Sequence, residues 1–441
     1  VSNITLNRST RFRAALKGEI PIWLEKNILT ESTAEQLREQ YELDKLATES
    51  ASLLTSILFT LGGLLLGGGV ISFVAANWDD IPKNGKVALL LATLLAFHVT
   101  GYWLKNNRGW PRLGHALIFG GCLVFGANIG LFAQIFHISG EWYGAFGIWA
   151  LGSLVVAWAV RSWLIGALTL YTSYIWFSGF LEGGRHSCWF YPFAIAMALL
   201  PLAQSVKSRA LYTMIFIQVI MALCVVAGVE GRSGRYVALA MASGGLLCWA
   251  VGETHIVFGV RKEFGNLTRG IGILALAIAA YILSFHDTWG TPYQEPQKYM
   301  WLIPVAASAI TGAVLIVILL SGKSADSNRR FYLSSIVIVI ALICLCIGLD
   351  RFGNSIVLPT ISANLAAFAL AFVTIWRGIA EERRVPFWFG SLLSMLIVVS
   401  RFFEYESSLL LKSAVFIACG IAVMMAGTFY ERLLRQKEAM Q

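Results

Sequence analysis

The sequence predicts an all-α, polytopic transmembrane bundle, and three observations carry that prediction. Of 441 residues, 57% are hydrophobic and only 13% charged, about half the charge of an average soluble domain. The apolar residues arrive in runs of about 20, the length of helix that crosses a ~30 Å hydrocarbon core. Period-two alternation, the mark of an outer-membrane barrel, is absent. Lipid offers backbone amides no hydrogen-bond partner, so the apolar runs must be helical.

Residues 1–50 stand apart from the rest. They mix Arg8, Arg11, Arg13, Lys17, Lys26, Arg38 and Lys45 with acids and contain no apolar core of a cleavable signal peptide. Ser32 followed by Glu35 reads as a capping box that starts a helix. Leu37, Tyr41 and Leu43 would lie on one stripe, with Phe12, Leu16, Trp23 and Leu24 as partners. The expectation is a cytoplasmic helical hairpin, too small for an independent core. It would therefore pack on the membrane region or recruit a cytoplasmic protein partner.

From residue 51 to 430 the expected helices are 51–77, 86–104, 114–136, 143–160, 163–181, 189–205, 210–229, 236–258, 269–286, 301–321, 331–349, 356–377, 386–402 and 407–429. That is about 14 spans joined by short loops, with residues 431–441 as a cytoplasmic tail. Charge provides a separate check. With both termini in the cytoplasm of a cell inner membrane, 25 Lys and Arg fall on the cytoplasmic side and 8 on the other, Lys412 lying inside the last span. The positive-inside rule calls for that asymmetry. The net charge of +9 is then a cationic face toward anionic lipid headgroups, and nucleic acid is not implied.

Polar side chains inside such spans need a partner or a purpose. In "FGANIGLFAQIFHISGEWYG" (125–144), Asn128 falls near mid-membrane, while Gln134, His137 and Glu141 approach the outer surface. Gly126 and Gly130 share a face with Gln134 and form a GxxxG, which permits close helix approach. The first span carries Gly62, Gly63, Gly67, Gly68 and Gly69 and ends, on the same side, with Asn77, Trp78, Asp79 and Asp80. An outward-facing polar site follows as the expectation. Arg351 and Arg401 close two later spans on that side, with Asp350 and Glu404 beside them. They read either as interfacial salt bridges or as a grip on an anion, for which guanidinium is suited. The simpler reading of Asn128 and Gln134 is a hydrogen bond to a neighbouring helix. That of Trp78, Trp142, Trp189, Trp289 and Trp301 is an interfacial belt. His98 and His255 read as hydrogen-bonding core residues and Glu253 as a snorkelling interfacial acid.

Six of the seven cysteines fall in spans, and Cys344-Leu-Cys346 lacks the spacing of a zinc or redox pair. No metal or cofactor is expected. Walker, GxSxG, HExxH and dinucleotide-binding patterns are absent.

"LEKNILTESTAEQLREQY", "LGGLLLGGGVISFVAANWDDIP" and "FGANIGLFAQIFHISG" together resemble a bacterial family of membrane proteins, domain of unknown function 2157. The resemblance covers roughly residues 15–145 and rests on Asn77, Trp78, Gln134 and His137. Phe136 stands where the family as often has Tyr. The resemblance implies fold and membrane location and adds no chemistry. Three functional classes therefore stay open. One is transport or handling of a lipid or envelope precursor, with a lipid-linked or anionic small molecule as ligand. The second is an enzyme acting on an envelope lipid or glycan, with His137 and an acid moving protons. The third is a non-catalytic assembly or sensor subunit.

Overall fold

The computed structural model describes residues 10–26, 28–41, 78, 80–183, 190–231, 233–259, 262–290, 302–321, 327–352, 356–404 and 408–438. Among them are 16 helices and no strand. The chain divides into two compact units, Val1–Leu90 and Leu91–Gln441.

In the first unit, α1 (Thr10–Glu25) and α2 (Glu31–Gln40) form a hairpin. Ile20 and Ala34 are its buried centre, with Leu16, Trp23, Leu24, Leu37 and Tyr41 around them. The N-cap of α2 is Thr30, not Ser32. Its hydroxyl accepts from the Thr33 amide at 3.4 Å, so the helix starts two residues earlier than the capping-box reading has it. The expected first span, 51–77, lies outside the described residues.

The remaining helices are α3 (Lys83–Asn107), α4 (Pro111–Ile135), α5 (Gly144–Val160), α6 (Trp163–Glu182), α7 (Tyr191–Ser205), α8 (Arg209–Gly231), α9 (Gly234–Val257), α10 (Lys262–Leu283), the single turn α11 (Asp287–Gly290), α12 (Leu302–Leu320), α13 (Ser327–Phe352), α14 (Val357–Ala380), α15 (Arg384–Glu404) and α16 (Leu409–Glu438). Nine of the described helices are long and apolar enough to cross a membrane, and four shorter apolar helices accompany them. Each expected span from 86 onward meets one of these helices. The largest shift of a helix start is that of α10, which begins at Lys262 rather than 269.

The second unit is built around α9. In its apolar window 72% of residues are buried, against none in α16. On α16, Leu409, Leu410, Ile417 and Met424 are exposed, an apolar surface suited only to lipid or another apolar partner. The contact of α9 with α10 is close because glycines face each other. A Cβ on Gly272 would stand 2.6 Å from the Gly245 carbonyl oxygen, and one on Gly265 2.9 Å from that of Gly252. Small residues at helix contacts let backbones approach where lipid supplies no hydrophobic drive. Trp289, expected in an interfacial belt, is instead the buried residue of α11 and donates its indole N–H to the Leu283 carbonyl at 2.8 Å.

Four helices of the second unit stop in the same way. His137, Arg161, Lys207 and Glu382 have φ between 51° and 55°. After each, the next amide reaches back into the last turn: Ile138 to Ala133, Ser162 to Ala157, Ser208 to Ala203 and Arg383 to Gly378, at 2.9–3.2 Å. This left-handed closure satisfies carbonyls that the helix end leaves open, and glycine is its usual occupant. Here polar side chains hold it.

Candidate functional site

The groove of the second unit is organised by the end of α4 and the turn that follows. At that end the His137 amide also bonds the Gln134 carbonyl, at 3.4 Å, completing the closure. The chain then runs through Glu141 and Trp142 to Tyr143, which is buried and meets Trp142 and Phe180 edge-on. Nine residues before the end of α4, Gly126 lies under the Trp149 ring of α5. That indole donates to the Cys122 carbonyl at 2.8 Å and stacks on Phe146. No side chain larger than hydrogen fits between α4 and this ring.

Between these parts opens a groove of about 760 Å³. Phe125, Ile129 and Phe132 of α4, Ile148 of α5, Trp176 and Phe180 of α6 and Leu91 and Leu94 of α3 supply an apolar lining. Polar groups enter at few points. Asn128, only 5% exposed, is set into the wall, and Glu141 and Trp142, both exposed, line the turn. The volume falls in the range of small-molecule sites, and an apolar lining with a few polar anchors is their common form.

The sequence-expected residues separate in the structure. Asn128, Glu141 and Trp142 come together in the groove. Gln134 and His137 are exposed and do not line it. Nothing among the described residues lies within 4 Å of a Cβ placed on Gly130. Trp78 stacks under Lys86, whose Nζ is 5.0 Å from its ring. Asn77, Asp79 and the glycines Gly62, Gly63, Gly67, Gly68 and Gly69 lie outside the described residues. Arg351 is in the last turn of α13, and its side chain is likewise outside them.

Arg401 and Glu404 form an ion pair one turn apart on α15. Arg401 donates Nη1 to the Ser284 carbonyl at 2.6 Å and Nη2 to the Ser284 hydroxyl at 3.0 Å, and lies 4.4 Å from the Phe285 ring centroid. Glu404 accepts from the His286 amide, and Asn364 of α14 donates to the Ser284 carbonyl at 2.9 Å. These groups satisfy the backbone just past α10 and tie it to α14 and α15. Arg401 therefore does not join the groove lining.

The buried charges of α9 and α10 were not recognised from sequence. Glu253, read as a snorkelling acid, is 1% exposed and accepts from Arg269 Nη1 at 3.2 Å. The correction follows from helix length. With α10 starting at Lys262, Arg269 is two turns inside it and faces α9 across the glycine contact. Gly252 and Gly265 spaced against Gly245 and Gly272, seven residues on each helix, were the available signal. Nearby, Arg377, 5% exposed, holds Glu381 with two hydrogen bonds at 2.7 and 3.1 Å. Burial works to raise the Glu381 carboxyl, but the Arg377 hydrogen bond and the charges of Arg377, Arg269 and Arg383 outweigh it and hold it below the ordinary value. His98 and His255 bond the carbonyls of Leu94 and Val251 in their own helices, at 3.0 and 2.8 Å.

Stacked apolar helices with lipid-type exposed surfaces and few buried charges define a multi-pass α-helical membrane protein. Within that class, residues 21–166 match the family described as predicted membrane protein (DUF2157), the family that the Asn77-Trp78 and Gln134–His137 segments resemble. The match takes in every groove residue up to Ile148 and ends early in α6. No curated protein and no solved structure matches the chain.

Proposed function

We propose that this protein handles a lipid or lipid-linked envelope precursor, whose apolar part occupies the groove between α3, α4, α5 and α6. The observation that carries the reading is the groove's composition: aromatic and aliphatic walls, Asn128 set into them and Glu141 with Trp142 at the turn. An amphipathic molecule matches that arrangement, since its chain replaces lipid contacts along the wall and its polar end meets the turn. A hydrophilic solute would bury its own polar groups against most of the lining without partners. The 25-to-8 charge asymmetry supports a cell inner membrane location with both termini cytoplasmic. The groove turn then opens to the outer side.

The proton-transfer reading of His137 has less support. Its backbone serves as the stop of α4, and its ring does not line the groove. Filling the groove tests the proposal. Ala145→Trp places a ring into the lining from α5. Native mass spectrometry of the purified full chain should then show fewer co-purified lipids per molecule than the wild type, with the melting temperature retained. Equal lipid occupancy in a folded Ala145→Trp variant would remove the groove as the binding place.

A further inference from the structure

A second cavity, of about 330 Å³, lies where the first half of α10 meets the end of α14 and the start of α15. Among the described residues, every charged side chain in its wall is an arginine: Arg269, Arg377 and Arg383. No described carboxylate lines it, although two carboxylates brace the arginines. Arg269 is held by Glu253 and, through Nη2, by Asn266 at 3.1 Å; Arg377 is held by Glu381. Both guanidiniums are therefore fixed in place before any ligand arrives. Arg383 differs. Its side chain is 54% exposed and reaches Glu381 only at 3.8 Å. Its backbone is set, however, because its amide closes the end of α14 on Gly378 at 3.0 Å.

Two further features point the same way. Helix α15 starts at Arg384, and Val385 and Pro386 of its first turn line the cavity. The first-turn amides have no intrahelical acceptor and carry the positive end of the helix dipole; of the two lining residues Val385 supplies one, Pro386 having no N–H. Apolar residues complete the wall, and two of them, Leu274 and Val385, are 50% and 79% exposed. The cavity is thus cationic on one side and open along an apolar flank on the other. Gly270 leaves space, with nothing among the described residues within 4 Å of a Cβ built there.

We propose that Arg269, Arg377 and Arg383 bind a phosphate group in this cavity, two of them as fixed donors and Arg383 as the donor that ligand binding recruits. Guanidinium matches phosphate oxygens in paired hydrogen bonds. The phosphate can come from the headgroup of an anionic phospholipid, whose chains would follow the apolar flank, or from a soluble phosphate. The inference does not rest on the groove reading, since it uses different helices and lies beyond the family match.

The test uses the full chain in neutral detergent. Its melting temperature is followed with phosphatidylglycerol in mixed micelles, with phosphatidylcholine at the same mole fraction, and with inorganic phosphate against chloride of equal ionic strength. Stabilisation by phosphatidylglycerol alone assigns the site to a lipid headgroup; stabilisation by phosphate assigns it to a soluble anion. In either case Arg383→Gln should weaken the apparent affinity about tenfold or more, as loss of a charge-assisted bond does. Gly270→Leu should abolish it by filling the space. Arg108→Gln, at an exposed arginine over Trp103, controls for general surface charge and should change nothing. Absence of stabilisation over both controls overturns the proposal. So does an unchanged response in Arg383→Gln, a variant at an exposed position that is expected to fold.

Discussion

Arg269 donates to Glu253 at 3.2 Å across the α9–α10 contact, where their side chains are only 10% and 2% exposed. The pair is positioned by backbone proximity. A Cβ on Gly252 would stand 2.6 Å from the Arg269 amide nitrogen. Removing one partner should therefore leave a buried charge with no compensation. Glu253→Ala is expected to cost about 3–5 kcal/mol of stability. The double change Glu253→Leu with Arg269→Met should cost much less than Glu253→Ala alone. Denaturation midpoints of the solubilised proteins decide; additive losses would show that the two charges are energetically independent.

The glycine faces make a second prediction. Gly252→Leu must force α9 and α10 apart, a strain of about 1–3 kcal/mol or more. Gly420 on α16 meets nothing within 4 Å, so Gly420→Leu should be neutral or slightly stabilising through helix propensity. A melting temperature for Gly252→Leu equal to that of Gly420→Leu would contradict the close contact.

At the end of α4, His137 holds a left-handed φ of 51°. Glycine takes that conformation without cost, whereas a β-branched residue does not. His137→Gly should keep or raise stability, and His137→Val should lower it by about 1–2 kcal/mol. The reverse order in thermal melts would mean that the imidazole, and not the backbone, is what the position requires.

Glu381 yields a pH dependence. Its carboxyl is held below the ordinary value of 4.5 by Arg377 and the neighbouring arginines, against the opposing effect of burial. A depressed carboxyl contributes stability that is complete above the ordinary value and disappears as pH falls through the folded one. Wild type should thus melt higher than Glu381→Gln at neutral pH, and the two should converge below about 4.5. A gap that stays constant into acid would assign the difference to shape rather than charge.

The orientation is open to direct measurement. A reporter active only outside the cytoplasm, fused after Glu141, should give signal, and one fused after Glu382 should give none. Reversal of both would overturn the cytoplasmic placement of the termini; reversal of one would show that a helix between them does not cross.

The sequence by itself determined the class, the helices from residue 83 onward and most of their limits. Hydropathy is a local quantity, and lipid forces each apolar run to satisfy its own backbone, so Lys83–Asn107 or Val357–Ala380 could be read without knowing any neighbour. Asn128 and Glu141 were legible for a related reason: polar groups are conspicuous where the surroundings should be apolar. Which of these residues meet was decided only by the tertiary structure. His137 and Gln134 share a segment with Asn128 yet do not line the groove: Gln134, six residues on, lies on another face of α4, and His137 sits in the left-handed stop past its end. Glu253 looked like a snorkelling interfacial acid until the glycines of α9 and α10 brought Arg269 against it. Trp289 passed for a belt residue because an indole near a span end fits an interface and a buried cap equally well. Helix formation depends on what lies within a turn or two along the chain, whereas a site depends on rotation and contact between helices far apart in sequence, which spacing does not encode.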